Sequence, residues 1–255
     1  MTIPTGHVEV PEQVHRLVGA AGLVADPPVH AVWQNDDGGT TFYAPVHRVY
    51  VKWAPAGTPL DLAAEAERLT WAALHTPVPE VLAHGSDDEG AWLVTRAVPG
   101  RSAVDPVWMA RPLDAVRAVG VGLRALHDAL PVDRCRFTWS VEERLARLDD
   151  PVRATELATP PPVDRLVVCH GDACVPNTLL SDDGSWLAHV DLGRLGVADR
   201  WADLAIATWS SVWNYGPGYE DALLEAYGIT PDPQRTQYYR ALWGSPRSRS
   251  AARRR

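Results

Sequence analysis

Lysine is nearly absent from this chain. Of 24 basic residues, 23 are arginine, and Lys52 is the one lysine. A lone lysine under such a bias points to work that a guanidinium does poorly. A compact ammonium on a flexible stem is not equivalent to a planar fork. Chance survival is the plain alternative. Cysteine is also scarce: Cys135, Cys169 and Cys174 are too few for a disulfide scaffold. None forms a C-x-x-C pair, which argues against a structural zinc site and for reduced thiols in packing roles. No apolar run reaches the length needed to span a bilayer. Residues 1–10 carry no basic stretch followed by an apolar one, so a signal peptide is not expected and a cytoplasmic location is. Acidic residues are missing after Asp232, where five arginines from Arg247 to Arg255 close the chain.

Those five arginines mask an acidic body. The formal net charge is −8, and without their five positive charges it is −13. Such a surface suits cationic ligands and disfavours a nucleic-acid groove. No nucleic-acid or membrane partner is expected. The last residues, 244–255, are mostly Ser, Arg and Ala, with little to bury, and read as a disordered end. At 46% apolar and 255 residues, the rest suffices for a sizeable core in one or two domains.

No internal repeat is visible. Residues 30–34, 40–46 and 48–53 read as short antiparallel strands rich in Val, Tyr, Phe and Trp. A turn, Gln34-Asn35-Asp36-Asp37-Gly38-Gly39-Thr40, separates the first two. Residues 60–74 read as a helix, with Leu62, Ala66, Leu69 and Ala73 at helical spacing. Glu65 borders that buried stripe, where a carboxylate needs a cation or a hydrogen-bond cage. Strands follow at 80–83 and 91–98. The character changes at Pro99-Gly100. Helices are expected at 113–130, 141–148, 201–213, 219–227 and 233–243, and short strands at 166–169, 178–180 and 186–190. The Pro-rich stretch 158–162 is a connector. The pattern is an α+β chain with a small sheet-rich lobe, a hinge near residue 96 and a larger helical lobe. The expected division is 1–98, 99–243 and a basic tail, 244–255.

The densest chemistry lies in His170-Gly171-Asp172-Ala173-Cys174-Val175-Pro176-Asn177, followed by His189-Val190-Asp191-Leu192-Gly193-Arg194. Phosphoryl transfer to a hydroxyl needs a carboxylate to orient that hydroxyl and take its proton. It also needs hard oxygen ligands for magnesium on the nucleotide phosphates. Asp172, Asn177 and Asp191 supply both. A strand lysine, Lys52, can hold the phosphates, and a helix glutamate, Glu65, can fix it. Each piece alone is common. Their order on suitable elements is not, and a joint coincidence is set at about one in ten or less. A metal-dependent hydrolase built on His170, Asp172, His189 and Asp191 is the competing reading, but it leaves Lys52, Glu65 and Asn177 without work. His170 itself is better read as a core histidine holding the loop than as a ligand.

At these residues the chain resembles the aminoglycoside phosphotransferases, a branch of the protein-kinase-like fold. The stretch 167–177 is similar to the catalytic loop of the 3'- and 3''-kinases. Residues 191–203, from Asp191-Leu192-Gly193-Arg194 through Ala198-Asp199-Arg200-Trp201-Ala202-Asp203, resemble their metal-binding segment and the helix after it. Weaker similarity runs over about 30–243. The resemblance implies a two-lobed fold: a small antiparallel β-sheet lobe with one helix, then a larger, mainly helical lobe. It implies Asp172 as catalytic base and Asn177 and Asp191 as magnesium ligands. Lys52 would bind the ATP phosphates with Glu65 as its partner, and backbone at Thr95 to Ala97 would meet the adenine. Arg194 would lie near base and substrate. Asp199 and Asp203 would brace the catalytic loop. The turn 34–41 would cover the phosphates, although it is poor in glycine for that task.

The departures fall on the substrate side. The 3'-kinases hold the drug's ammonium groups with acidic residues on three elements. One matching helix here carries Trp209, Trp213 and Asn214, the chain end is aromatic and then basic, and the insert before the catalytic loop is short. Asp149, Asp150, Asp164, Glu220 and Asp221 remain as other anionic candidates. Trp209 and Trp213 share a helix face and read first as packing, second as a stacking platform. The expected activity is ATP- and Mg2+-dependent phosphorylation of an aminoglycoside hydroxyl, with resistance as its consequence. The alternatives are another small hydroxyl compound as acceptor, or a nucleotide-binding pseudokinase.

Overall fold

Alternation of side chains decides the first sheet. In the strand Val49–Pro55, Val49, Val51 and Trp53 are buried on one face, which turns Tyr50 and Lys52 to the other. The computed structural model describes residues 4, 6, 8–20, 28–35, 37–148 and 150–243. The expected loose tail, 244–255, and Asp149 lie outside the described residues. The chain divides into two compact units, one of residues 1–73 and 79–98, the other of 74–78 and 99–255.

The first unit contains α1 (Glu12–Ala20), β1 (His30–Gln34), β2 (Thr40–Ala44), β3 (Val49–Pro55), α2 (Leu62–Ala72), β4 (Val81–Ser86) and β5 (Gly90–Arg96). Its strands form one antiparallel sheet in the order β1-β2-β3-β5-β4. Helix α1 covers one face: Val14 and Val18 pack with Phe42, Ala44, Val49, Val51, Trp53 and Val94. Helix α2 lies on the face to which Lys52 points, burying Leu62, Glu65, Ala66, Leu69 and Ala72. Asp61 caps it, accepting from the Ala64 N–H at 2.8 Å. The sequence reading named one helix here. The second, α1, carries Val14, Leu17 and Val18 at helical spacing just after Pro11, so its signal was present in the chain.

The second unit opens with β6 (Arg101–Ser102), α3 (Pro106–Met109) and the long α4 (Pro112–Ala129). Short helices α5 (Val141–Ala146) and α6 (Pro151–Glu156) follow. Then come β7 (Leu166–Cys169), β8 (Thr178–Leu180), β9 (Trp186–His189) and β10 (Gly196–Asp199). Helices α7 (Trp201–Tyr215), α8 (Glu220–Tyr227) and α9 (Pro233–Trp243) complete it. The strands form two small sheets, β6-β8-β9 and β10-β7, both antiparallel. Helix α4 is pressed against its neighbours at two glycines. A Cβ on Gly120 would stand 2.3 Å from the Leu223 carbonyl oxygen of α8, and one on Gly122 would stand 2.4 Å from the Trp186 ring of β9. No helix among the described residues is long and apolar enough to cross a membrane.

Candidate active site

Strand β3 delivers Lys52 and helix α2 delivers Glu65, whose carboxylate accepts from the Lys52 ammonium at 2.6 Å. Glu65 is 5% exposed. A carboxylate so enclosed is tolerable because the ammonium compensates it. On the same sheet, Thr95 stands opposite Tyr50 and Val81. The Ala97 N–H donates to the Arg48 carbonyl at 2.8 Å and the Arg96 N–H to the Glu80 carbonyl at 2.9 Å. Those two donors are therefore committed within the unit. The turn between β1 and β2 closes on itself. Gly39 N–H donates to Asn35 Oδ1 at 2.7 Å, and Asn35 N–H to the Gly39 carbonyl at 3.0 Å. The Gly39 N–H is thus used by the turn's own asparagine.

The second unit builds its site around the loop after β7. Gly171 has φ +82, and a Cβ there would lie 2.0 Å from the Arg194 carbonyl oxygen. Only glycine lets these two segments meet. His170 is fully buried. Its Nδ1 accepts from the Asp172 N–H at 3.2 Å and its Nε2 contacts the Val190 carbonyl at 3.0 Å. The pair assigns the proton to Nε2. Both ring nitrogens are thereby spent on holding Asp172 and the strand end before Asp191. His189 is 1% exposed, packs against Trp186 and His170, and has its pKa driven far down by burial. His170 is therefore not available as the hydrolase reading required, while His189 keeps both ring nitrogens buried without a hydrogen-bond partner.

Helix α7 braces the loop from behind. Asp203 accepts from the His170 N–H at 2.6 Å and the Gly171 N–H at 3.0 Å, and its Oδ2 lies 2.9 Å from His127 Nε2. His127 Nδ1 in turn meets the Tyr227 hydroxyl at 2.9 Å. Burial alone would raise the Asp203 carboxyl, but the hydrogen bond and charge of His127, with the Gly171 N–H, hold it below the usual value. Seven residues on, on the same helix face, Ser210 accepts from the Val175 N–H at 3.0 Å. Sequence reasoning placed Asp203 as a brace and missed Ser210. The same helix also carries Thr208, Ser211 and Asn214, so no local signal singled Ser210 out. His127, Cys169 and Asp203 form a buried cluster with polar atoms within 4.8 Å. The Asp203 oxygens are already occupied by these donors, and the Cys169 thiol donates to the Asp199 carbonyl at 3.4 Å. Asp199 itself accepts from the Trp201 and Asp164 N–H groups.

With the loop fixed, Asp172, Asn177 and Asp191 lie on segments tied to one another by hydrogen bonds to backbone carbonyls. Asn177 Nδ2 donates to the Asp172 carbonyl at 3.0 Å, which leaves its Oδ1 as the free acceptor. The Val190 N–H donates to the Asn177 carbonyl at 3.0 Å, bringing Asp191 beside Asn177. Asp191 has φ 66, a left-handed backbone unusual for a non-glycine residue and typical of functional turns. Asp172 Oδ1 is enclosed and has no hydrogen-bond partner. Burial raises the Asp172 carboxyl, the Arg194 guanidinium opposes that, and the Asp191 charge adds to it. A carboxylate raised by the charge of a second one, next to an amide oxygen, forms a set of hard donors suited to a divalent cation.

Such a donor set around an orienting carboxylate fits transfer of a phosphoryl group, and the chain belongs to the phosphotransferase enzyme family, whose model matches residues 30–239. It is 36% identical to the aminoglycoside 3'-phosphotransferase of Streptomyces fradiae, over 84% of this chain and 93% of the relative. It is 34% identical to the streptomycin 3''-kinase of Streptomyces griseus, over 84% and 92%. The fold matches the aminoglycoside phosphotransferase of Streptomyces rimosus with a TM-score of 0.71 and 29% identity, covering 89% of this chain and 94% of that one. The same enzyme in complex with ADP and streptomycin gives a TM-score of 0.64 at 27% identity, with the same coverage.

Proposed function

We propose that this chain moves the γ-phosphoryl group of ATP to a hydroxyl of an aminoglycoside in the cytoplasm, and so confers resistance to the drug. The observation that carries the reading is the Asp172 carboxylate. It is enclosed, has a free Oδ1, and sits on a loop pinned by His170, Asp203 and Ser210. In this role Asp172 accepts the hydrogen bond of the acceptor hydroxyl and takes its proton as the bond to phosphorus forms. Orientation and charge neutralisation supply most of the rate in such reactions. Asn177 Oδ1 and Asp191 would hold magnesium, which neutralises charge on the transferring phosphates. Lys52, held by Glu65, binds the nucleotide phosphates as a point charge. Thr95 and Ala97 meet the adenine through atoms other than the committed Ala97 N–H. Arg194, whose charge acts on Asp172, would lie near the base and the substrate.

The test is ADP release from magnesium-ATP across kanamycin, neomycin and streptomycin, with Asp172→Asn as control. Drug-stimulated release is expected in the natural chain and at least about 100-fold less in the variant, with ATP affinity within about threefold. Turnover retained by Asp172→Asn would reject it as the base. Slow release that no drug stimulates would reject the aminoglycoside as acceptor.

A further inference from the structure

Arg194 follows β9 and precedes β10. Its side chain is exposed, so without support its guanidinium would sample many rotamers. Two indoles hold it. The guanidinium lies 5.7 Å from the Trp139 ring and 5.2 Å from the Trp243 ring. Both distances are within the range of cation–π attraction. The Trp139 backbone is itself strapped to β10. Val197 N–H donates to the Phe137 carbonyl at 2.9 Å, and Trp139 N–H donates to the Val197 carbonyl at 3.0 Å. A Cβ on Gly196 would stand 2.4 Å from the Thr138 carbonyl carbon, so the strap is as close as a glycine allows. Trp243 comes from the end of α9, which packs on α7. At its other side, the Arg194 backbone abuts Gly171, the residue before Asp172.

Trp139 also carries two further cations. Arg144 lies 5.0 Å from its ring and Arg147 5.8 Å. Arg144 is 5% exposed and its Nη1 is buried without a partner. Three guanidiniums around one ring repel one another, and the negative faces of the indole offset that repulsion. Loss of the ring would leave the repulsion and remove the attraction; Arg144 is buried and Arg147 is paired with Glu143, so Arg194 is the member able to swing away.

We propose that Trp139 and Trp243 are positioning residues for phosphoryl transfer: they clamp the Arg194 guanidinium so that its charge stays beside the catalytic loop. The proposal rests on the functional reading above. In it, Arg194 acts on the reacting groups and the two indoles act only through Arg194.

A double-mutant cycle on the full chain tests this. Trp243→Ala, at the end of a helix, and Trp139→Leu are each expected to lower kcat about three- to tenfold, with KM for ATP little changed. Trp139→Phe should restore most of the loss. In an Arg194→Ala background, Trp243→Ala should add less than twofold, because its partner is already gone. Multiplicative losses, or a natural kcat in Arg194→Ala, would overturn the clamp. A readout independent of turnover separates this from failure of the functional reading. The Arg194 Nε–H signal in 15N NMR should be that of an ordered side chain in the natural chain and a mobile one in Trp243→Ala. A mobile signal in the natural chain would overturn the clamp whatever the enzyme phosphorylates.

Discussion

The Asp203 carboxylate gathers three hydrogen bonds and holds the loop that carries Asp172 from behind. It collects two loop N–H groups and the His127 ring in a fully buried setting. Asp203→Asn keeps the shape but turns an amide N–H toward one of those donors. A cost of about 2–4 kcal/mol in unfolding free energy is expected. The pH dependence has a definite sign. The native carboxyl is held below its ordinary value, so the unfolded chain takes up that proton first as pH falls. The stabilisation is fully present above about pH 4, and is lost as pH drops through the depressed native value. Urea titrations at pH 7 and about pH 2.5 should show a smaller acid loss in Asp203→Asn than in the natural chain. An equal loss in both would mean that other carboxylates set the acid limit. Lys52 and Glu65 were legible at this scale because a strand alternation and a helical stripe placed them. Ser210 was not, because nothing local says which buried serine meets a loop.

At the scale of elements, α4 shows how packing overrides propensity. Gly120 sits inside an 18-residue helix, where alanine would gain about 1 kcal/mol from propensity alone. The Leu223 carbonyl oxygen of α8 stands 2.3 Å from where the new Cβ would be. Backbone cannot rotate away as a flexible side chain can, and overpacking of this kind costs about 1–3 kcal/mol. Gly120→Ala is therefore expected to lower the melting temperature by about 2–4 °C. A rise would show that α8 shifts freely. The long elements α2, α4, α7, α8 and α9 were readable from periodicity within a residue or two. Strand β10 was missed because four residues pairing with distant β7 have no local period. The two-residue β6 and the one-turn α3 fall below what periodicity can register.

For the whole molecule, charge is the property that reaches furthest. A chain of net charge −8 attracts a polycationic drug and repels ATP. The screening length falls from about 10 Å at 0.1 M salt to about 3 Å at 1 M. Raising the salt from 0.05 to 0.5 M should lower kcat/KM for neomycin several-fold. The value for ATP should fall less or rise. A neomycin value that does not move with salt would remove long-range attraction from the account of drug binding.

The amino-acid sequence by itself determined the α+β class, the family and the long helices, and it nominated the residues proposed to do the chemistry. Those properties depend on local periodicity and on residue types that few reactions besides phosphoryl transfer require together. Tertiary structure decided what holds those residues in place. The His170 contact with Val190, the bracing by Asp203 and Ser210 and the indoles around Arg194 all join residues far apart in the chain. Their partners are set by packing distance, which no spacing along the sequence encodes.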